Sequence, residues 1–250
     1  MKDQFGICDT NIKDDPGLNR DMEDVMDYLV DEASKAAVII ELGCQYGNGS
    51  TKAFSWGLRN SPAAEKDKLM ISVDMYNQMT YYRIPKDPWW HFIEGASIDV
   101  TVTNVTRKDR DETKIALFLG QVKLYLDSAV TDGDKVNHLK TLLADFEAPV
   151  VEERLFPGVA SQIATLLNGR KADIIFFDSD QTPETVTQEL NAYKAFCHDT
   201  TKLLFHDTAM TSMFPGYRQA IIDWGTANGY AYEDVFPYGQ GLGKLTKAIK

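Results

Sequence analysis

The stretch that decides the fold is Val38-Ile39-Ile40-Glu41-Leu42-Gly43-Cys44-Gln45-Tyr46-Gly47-Asn48-Gly49-Ser50-Thr51, where a β-branched apolar run meets an acidic residue and then glycines. The apolar run predicts a buried strand that ends at Glu41, and a helix is predicted from Thr51 onward. Backbone N–H groups at a helix N-terminus attract negative charge. This strand, turn and helix therefore predict a site for a ligand with a nucleoside or a charged tail.

Apolar segments and helical patterns alternate along the rest of the chain. The predicted strands are 38–41, 68–74, 149–156, 172–178, 202–207, 230–238 and 243–249. The predicted helices are 19–36, the segment from 51, 136–146, 159–167, 186–197 and 217–228. Continuous apolar strands separated by helices predict an α/β fold, with a doubly wound, mostly parallel, Rossmann-like sheet of seven strands and helices on both faces.

The interval from Met75 to about Asp132 breaks this alternation, because it places a long excursion between the second strand and the next helix. We expect an insertion after strand 2 within one domain spanning residues 1–250, and it could equally serve as a lid or oligomer contact or be a plain packed excursion. Aromatic side chains are frequent in its first part: Tyr76, Tyr81, Tyr82, Trp89, Trp90 and Phe92. They could bury an aromatic ligand or form an ordinary hydrophobic cluster, and the sequence leaves both open.

Composition excludes several classes of function. The formal charge of −11 and a pI near 4.8 argue against nucleic-acid binding, which depends on clustered Lys and Arg. Three cysteines without a C-x-x-C pair support neither a disulfide framework nor a structural zinc site. No apolar run approaches the roughly 20 residues of a membrane span. We therefore expect a soluble, cytoplasmic protein that binds a small molecule and no membrane, with homo-oligomerisation left open.

Three predicted strands end in carboxylates, Glu41, Asp74 and Asp178. In an open parallel sheet, ligands bind beyond the carboxyl ends of the strands, near the point where the strand order reverses. A carboxylate after the second strand can accept hydrogen bonds from ribose hydroxyls, which suits Asp74. The alternative is that such acids are solvated or cap helices.

The glycine spacing narrows the class of nucleoside. A dinucleotide dehydrogenase has G-x-G-x-x-G and an acid about 20 residues later. Here Gln45 stands where the middle glycine would be, between Gly43 and Gly47, and Asp74 comes much later. A P-loop is excluded, because no Gly-Lys-Ser/Thr follows.

Six segments follow one another along the chain: Glu41-Leu42-Gly43-Cys44-Gln45-Tyr46-Gly47, Asp74, Ile174-Ile175-Phe176-Phe177-Asp178, the run Thr182 to Tyr193, Leu204-Phe205-His206-Asp207-Thr208 and Gly241-Leu242-Gly243. Their order and spacing resemble the class I S-adenosylmethionine-dependent methyltransferases. The resemblance is to the small-molecule O-methyltransferase branch, with its macrocin, catechol and cephalosporin-hydroxylase-like members. It covers about three quarters of the chain and leaves out the interval from 75 to 132.

The resemblance implies a set of residues that bind S-adenosylmethionine. Its methionine part would lie against Glu41, Gly43 and Gly47, its ribose against Asp74, and its adenine against the turn from Gly158 to Ser161. The full set of expected cofactor contacts is Glu41, Gly43, Gly47, Ser50, Asp74, Gly158, Ser161 and Asp178.

The resemblance also implies a divalent metal, Mg²⁺ or another, held by Asp178, His206 and Asp207. Carboxylate oxygens suit Mg²⁺, whereas imidazole suits softer transition metals. The alternative is that these residues orient loops or bind substrate without a metal. The family often has a Lys or His base where this chain has Gln181. That departure leaves His206, beside Asp178, as the expected catalytic base, with His91 as the alternative if the insertion folds over the site.

The sequence therefore predicts an enzyme that transfers a methyl group to an oxygen, or with less support a nitrogen, of a small metabolite, with natural-product tailoring as its setting. The metabolite could be aromatic. The alternative, motivated by Gln181, is an S-adenosylmethionine-binding protein with another reaction or a regulatory role. A nucleotide-dependent oxidoreductase is disfavoured by the glycine spacing.

Overall fold

The computed structural model describes residues 23–45, 47, 49–75, 87–102 and 154–248. The helices are α1 (Glu23–Ala33), α2 (Ser50–Arg59), α3 (Ala160–Leu167), α4 (Pro183–Tyr193) and α5 (Tyr217–Asn228). The strands are β1 (Val38–Leu42), β2 (Leu69–Asp74), β3 (Trp90–Glu94), β4 (Val100–Val102), β5 (Arg154–Phe156), β6 (Ala172–Phe177), β7 (Cys197–His206), β8 (Tyr230–Phe236) and β9 (Leu242–Lys247). Two short 3₁₀ turns cover Glu65–Asp67 and Lys194–Phe196. None of the helices in the described part of the chain is both long and apolar enough to cross a membrane.

The main sheet has seven strands in the order β3-β2-β1-β6-β7-β9-β8. The first five strands run parallel, and β9 runs antiparallel to both of its neighbours, β7 and β8. The strand order reverses between β1 and β6, which is where a doubly wound sheet opens a crevice for a ligand. The predicted fold class, a mostly parallel seven-stranded sheet, is confirmed.

Helices cover both faces of this sheet. Val38, Ile40 and Leu42 of β1 pack on the side of α3, α4 and α5, while Ile39 belongs to the core formed with α1 and α2. Because successive strand residues point to opposite faces, an apolar run without alternation is what two covered faces require. This explains why β1 is buried along its whole length.

One predicted strand was assigned to the wrong segment. The strand beside β2 is β3, which lies inside the interval predicted to be an insertion, and it pairs in parallel with β2 from Met70↔Trp90 to Asp74↔Glu94. Of the predicted strand 149–156, the structure describes only β5, which pairs antiparallel with β4 outside the main sheet. As an edge strand β3 is only partly buried, so its sequence lacks the apolar run that marks the central strands.

The boundary of the insertion changes with it. Val100–Phe156 form a compact unit of their own, of which the β4–β5 ladder is described. The insertion thus follows β3. Residues 90–99 were predicted to belong to it, but they belong to the main unit instead. The predicted helix 136–146 and the aromatic residues Tyr76, Tyr81 and Tyr82 lie outside the described residues. A lid or oligomer role for the insertion stays a prediction.

A second difference concerns the end of α4. The predicted helix ran to Cys197, but α4 ends at Tyr193 and Cys197 is the first residue of β7. The 3₁₀ turn between them lets apolar residues continue at a helix-like spacing although the helix has ended. The pattern could not separate the two cases.

Candidate active site

The turn after β1 is built around Gly43. Gly43 has a φ of +83° and donates its N–H to the Val73 carbonyl at 2.9 Å. A Cβ at this position would lie 2.0 Å from the backbone oxygen of Asp178, so only glycine lets the two chain segments approach this closely. Gly47 also has a positive φ, +69°, and closes the turn with a 2.7 Å bond from its N–H to the Cys44 carbonyl. The turn therefore lies directly against the end of β6.

Asp74 holds this turn in place. Its Oδ2 accepts the backbone N–H of Gln45 at 2.7 Å and that of Cys44 at 3.2 Å. An ionised carboxylate has about four lone-pair sites, so this bracing is compatible with accepting a sugar hydroxyl as well. Asp74 lies where the sequence placed it, at the carboxyl end of β2 next to the turn. Its contact with a ribose stays a prediction.

The Glu41 side chain has a structural role at the start of α2. Its side chain is fully buried, and it accepts hydrogen bonds from Ser50 Oγ at 2.6 Å, Thr51 Oγ1 at 2.9 Å and Ser72 Oγ at 2.6 Å. Its carboxylate is fully buried, and a contact of Glu41 with the methionine part of a cofactor stays a prediction. The carboxylate ties the first residues of α2 to β1 and β2, and the Ser50 hydroxyl is engaged in the same network.

The buried Glu41 carboxylate makes stability depend on pH. Burial raises its pKa from 4.5 to about 7, although the hydroxyls of Ser50, Ser72 and Thr51 oppose the shift. Since the folded state holds the proton more tightly than the unfolded chain, the stability contribution is full below pH 4.5 and is lost as pH rises to about 7. Glu41→Gln removes this dependence. Its free energy of unfolding in urea, compared with the wild type at pH 5 and pH 8, is expected to gain on the order of 3 kcal/mol at the higher pH. An unchanged difference between the two proteins at both pH values would contradict this.

The turn from Gly158 to Ser161 lies beside another turn, and its contact with an adenine stays a prediction. Because β3 is the strand beside β2, the turn that follows it, Gly95–Asp99, reaches the edge of the sheet. Gly158 lies beside this turn, bridged to Ala96, and donates its N–H to Asp99 Oδ1 at 2.7 Å. Ser161 is exposed on the first turn of α3. Gly158 therefore supports the neighbouring turn.

Asp178, His206 and Asp207 converge after β6 and at the end of β7. His206 Nδ1 lies 3.2 Å from Asp178 Oδ1 and 3.4 Å from Asp207 Oδ1. One ligand atom from each of the three residues lies within 4.8 Å of the others. Asp207 has a left-handed backbone with φ +61°, which is uncommon for a residue with a side chain and is typical of functional sites. The predicted metal-binding residues thus form one cluster.

Gln181 sets the geometry of the two carboxylates. Its Nε2 donates to Asp207 Oδ2 at 3.0 Å and to Asp178 Oδ1 at 3.3 Å. An amide in this position orients both acids without adding a charge. A Lys or His here would compete with a cation for the same oxygens.

His206 is not a neutral base in this arrangement. Burial lowers its pKa, but hydrogen bonds and attraction from Asp178 and Asp207 outweigh this and raise the pKa to about 10. Without a metal the ring therefore keeps its proton at neutral pH, and the role of His206 as catalytic base stays a prediction. Burial raises the pKa of Asp178 as well.

A divalent cation fits these donors. Two carboxylates and one imidazole nitrogen match the ligand preferences of Mn²⁺, Fe²⁺, Co²⁺ or Zn²⁺ better than the all-oxygen preference of Mg²⁺. The cation would replace the proton at His206 Nδ1. His206 Nε2 is buried and has no hydrogen-bond partner among the described residues. The only polar contacts of the ring in the described part of the chain are therefore those of Nδ1 with Asp178 and Asp207.

The other candidates from the sequence lie away from this cluster. His91 is paired with Ile71 within β3, three positions before the carboxyl end of that strand. It therefore does not lie where the carboxyl ends of the strands bring Asp178 and Asp207 together. Trp89 donates its indole N–H to Glu65 and Trp90 donates to Ser72. These two tryptophans serve the packing around β2 rather than an open aromatic surface.

Sequence analysis missed a buried acid, Glu189, which accepts hydrogen bonds from Ser97 and Ser179. A signal existed, since Glu189 shares a helical face with the apolar residues Val186, Leu190 and Tyr193. A charged residue on the buried face of a helix calls for a partner inside the protein.

No protein-family model matches the sequence, and no curated protein matches it. Two of the solved structures that resemble it have TM-scores above 0.5. Rv0187 from MTB, solved with a bound cofactor, is 11% identical with a TM-score of 0.54, covering 96% of this chain and 94% of its own. A candidate O-methyltransferase from Klebsiella pneumoniae is 13% identical with a TM-score of 0.52, covering 94% of this chain and 91% of its own. The chain has a methyltransferase-type fold. At this level of identity the likeness concerns the fold, and function must be argued from the site.

Proposed function

We propose that the protein transfers a methyl group from S-adenosylmethionine to an oxygen of a small metabolite, with a divalent metal assisting. The observation that carries this is the placement of the Asp178, His206 and Asp207 cluster directly beside the turn that Asp74 braces. A nucleoside on the turn and an acceptor on the cluster would then lie at one sheet edge. The methyltransferase-type fold supports the same activity.

The chain's own residues contribute mainly by positioning. In methyl transfer the acceptor hydroxyl gives up its proton to water, and its oxygen forms a bond to the methyl carbon as the carbon–sulfur bond breaks, leaving a neutral thioether. Alignment of the reacting atoms supplies much of the rate in such a step. Asp74 and the glycine turn would hold the nucleoside of the cofactor and so position its sulfonium, while Gln181 keeps Asp178 and Asp207 in place.

Asp178, His206 and Asp207 would hold the metal. When bound, it would supply Lewis acidity that lowers the pKa of the acceptor hydroxyl. This role accounts for Gln181 at the position of the expected base, because a hydroxyl acidified by a cation needs no neutral imidazole or amine beside it.

The metal cluster is tested by single substitutions in the presence of methyl-labelled cofactor and a metabolite extract. Asp207→Asn keeps the size of the side chain and removes one anionic ligand, so we expect metal affinity and label transfer to fall by about 10- to 100-fold. Asp180→Asn is the matched control, because Asp180 is exposed and bonded to Thr182 and Thr185 instead. It should change transfer less than threefold.

Chelation tests the same cluster without a mutation. Treatment with a chelator should suppress transfer, and Mn²⁺ or Co²⁺ should restore it more fully than Mg²⁺. Transfer that survives chelation unchanged would remove the metal from this proposal. Binding of NAD with no binding of S-adenosylhomocysteine, measured by calorimetry, would overturn the cofactor assignment.

The alternative of another reaction or a regulatory role rests on the protonated His206 and on Gln181, which leave no neutral base in the described cluster. Tight binding of S-adenosylhomocysteine with no labelled product from any extract, whatever metal is added, would favour it.

A further inference from the structure

Glu189 is a carboxylate buried in α4, with only 1% of its surface exposed. Its Oε1 accepts hydrogen bonds from both Ser97 Oγ and Ser179 Oγ. Both partners are neutral hydroxyls. Burying a carboxylate without a cation costs several kcal/mol, so a helix that only needed packing would have an apolar residue here.

The two serines belong to different loops at the sheet edge. Ser97 lies in the turn Gly95–Asp99 after β3, and Ser179 directly follows Asp178 after β6. The sheet order β3-β2-β1-β6 places two strands between these loops, so only an element crossing the edge can touch both. Glu189 does so with a single oxygen.

Tyr193, one turn further along α4, strengthens the contact with the first loop. Its hydroxyl donates to the Ser97 carbonyl at 2.9 Å, and its side chain is fully buried. Ser97 is therefore held at its side chain and at its backbone by the same helix. This leaves the loop little freedom to move away from α4.

Burial raises the pKa of Glu189 to about 7, and the nearby carboxylate of Asp180 adds to the shift. Glu189 in turn raises the pKa values of Tyr193 and Tyr217, which are themselves raised mainly by burial. All three of these neighbours are acidic groups, so nothing among them compensates a negative charge. What Glu189 does contribute here is the oxygen that accepts hydrogen bonds from both Ser97 and Ser179.

We infer that Glu189 is a positioning residue, which fixes the loop after β3 relative to the loop after β6 and so aligns the cofactor with Asp178. The inference rests on the proposed function. It assigns to α4 the spacing between the loop after β3, which carries Ser97, and the loop after β6, which carries Asp178 and Ser179.

The test compares four variants of the full chain with the wild type, by calorimetric binding of S-adenosylhomocysteine and by kcat and KM for methyl transfer. Glu189→Ala should weaken binding about 10-fold and lower kcat by up to about 100-fold, because misplacement by about 1 Å costs that much. Glu189→Gln retains an acceptor oxygen of the same reach and should rescue both to within about threefold. Ser97→Ala should act mainly on cofactor binding, and Ser179→Ala mainly on kcat.

Leu190→Ala is the matched control. Leu190 is equally buried on the same helix and belongs to the hydrophobic core, so its removal destabilises α4 without touching either loop. Measured per folded molecule, it should leave cofactor affinity and kcat unchanged. Equal effects of Glu189→Ala and Leu190→Ala, or failure of Glu189→Gln to rescue, would reduce Glu189 to a packing residue.

The two proposals fail in different ways. A wild type that does not bind S-adenosylhomocysteine contradicts the proposed function and this inference together. A wild type that binds and turns over, with a folded Glu189→Ala variant that does so equally well, contradicts the inference alone.

Discussion

Gly43→Ala is expected to abolish cofactor binding and to destabilise the fold strongly. The new Cβ would lie 2.0 Å from the Asp178 carbonyl oxygen and 2.8 Å from the Ser179 nitrogen. Both are backbone atoms that cannot rotate away. The turn must therefore separate from the end of β6, which displaces Asp178 from its cluster. We expect a loss of about 3–5 kcal/mol in the free energy of unfolding.

Gly169→Ala separates steric overlap from backbone strain. Gly169 has the same φ, +83°, but a Cβ there would meet nothing within 4 Å. This variant should lose only the roughly 1–2 kcal/mol of a left-handed residue with a side chain, and its affinity for S-adenosylhomocysteine should equal that of the wild type. Urea unfolding and calorimetry on both variants give the comparison. Equal losses in the two variants would show that the close approach to β6 is unimportant.

Asp74→Ala is expected to lower the affinity for S-adenosylhomocysteine about 100-fold. The substitution removes the proposed ribose acceptor and also the brace on the N–H groups of Cys44 and Gln45. Each lost hydrogen bond to a charged group contributes roughly 1.5–3 kcal/mol, so the combined effect reaches two orders of magnitude in affinity. Asp74→Asn retains one acceptor oxygen and should fall between Asp74→Ala and the wild type.

Glu94→Ala is the control for Asp74→Ala. Glu94 of β3 pairs with Asp74 of β2. Its substitution therefore removes the same charge from the same end of the strands, but the Glu94 side chain is exposed. Its effect on affinity should stay within about threefold, because exposed charges are screened by salt. Unchanged affinity in Asp74→Ala would overturn the assignment of the whole crevice.

The sequence predicted the central strands well because they are buried on both faces. β1, β2, β6 and the second half of β7 are mostly apolar, and their ends place Asp74, Asp178 and Asp207 at one edge by the geometry of a parallel sheet alone. The edge strand β3 could not be found in the same way. Half of its residues need not be apolar, and its order in the sheet is settled by pairing, which no local pattern records.

Side-chain roles were less predictable than backbone positions. Glu41 is the last residue but one of β1 and Asp74 is the last of β2, beside the same turn, yet Glu41 points into the interior and Asp74 to the turn. The difference follows from the alternation of the pleat, together with the hydroxyls of α2 that meet Glu41. The protonated state of His206 likewise depends on two carboxylates that come together only in the folded chain.

The junction at which the chain leaves the main unit and returns to it has a practical consequence. Ala96 and Gly158 are bridged, and a Cβ on Gly158 would lie 2.9 Å from the Asp99 nitrogen, so the departing and arriving segments are already neighbours. Val100 and Phe156, the first and last residues of the inserted unit, are paired with each other in the β4–β5 ladder. Excising everything between them and joining the ends by a short linker would close a loop at little entropic cost. Segments of very different length could therefore be exchanged here, which makes the position a natural place for grafting new specificity onto an unchanged scaffold.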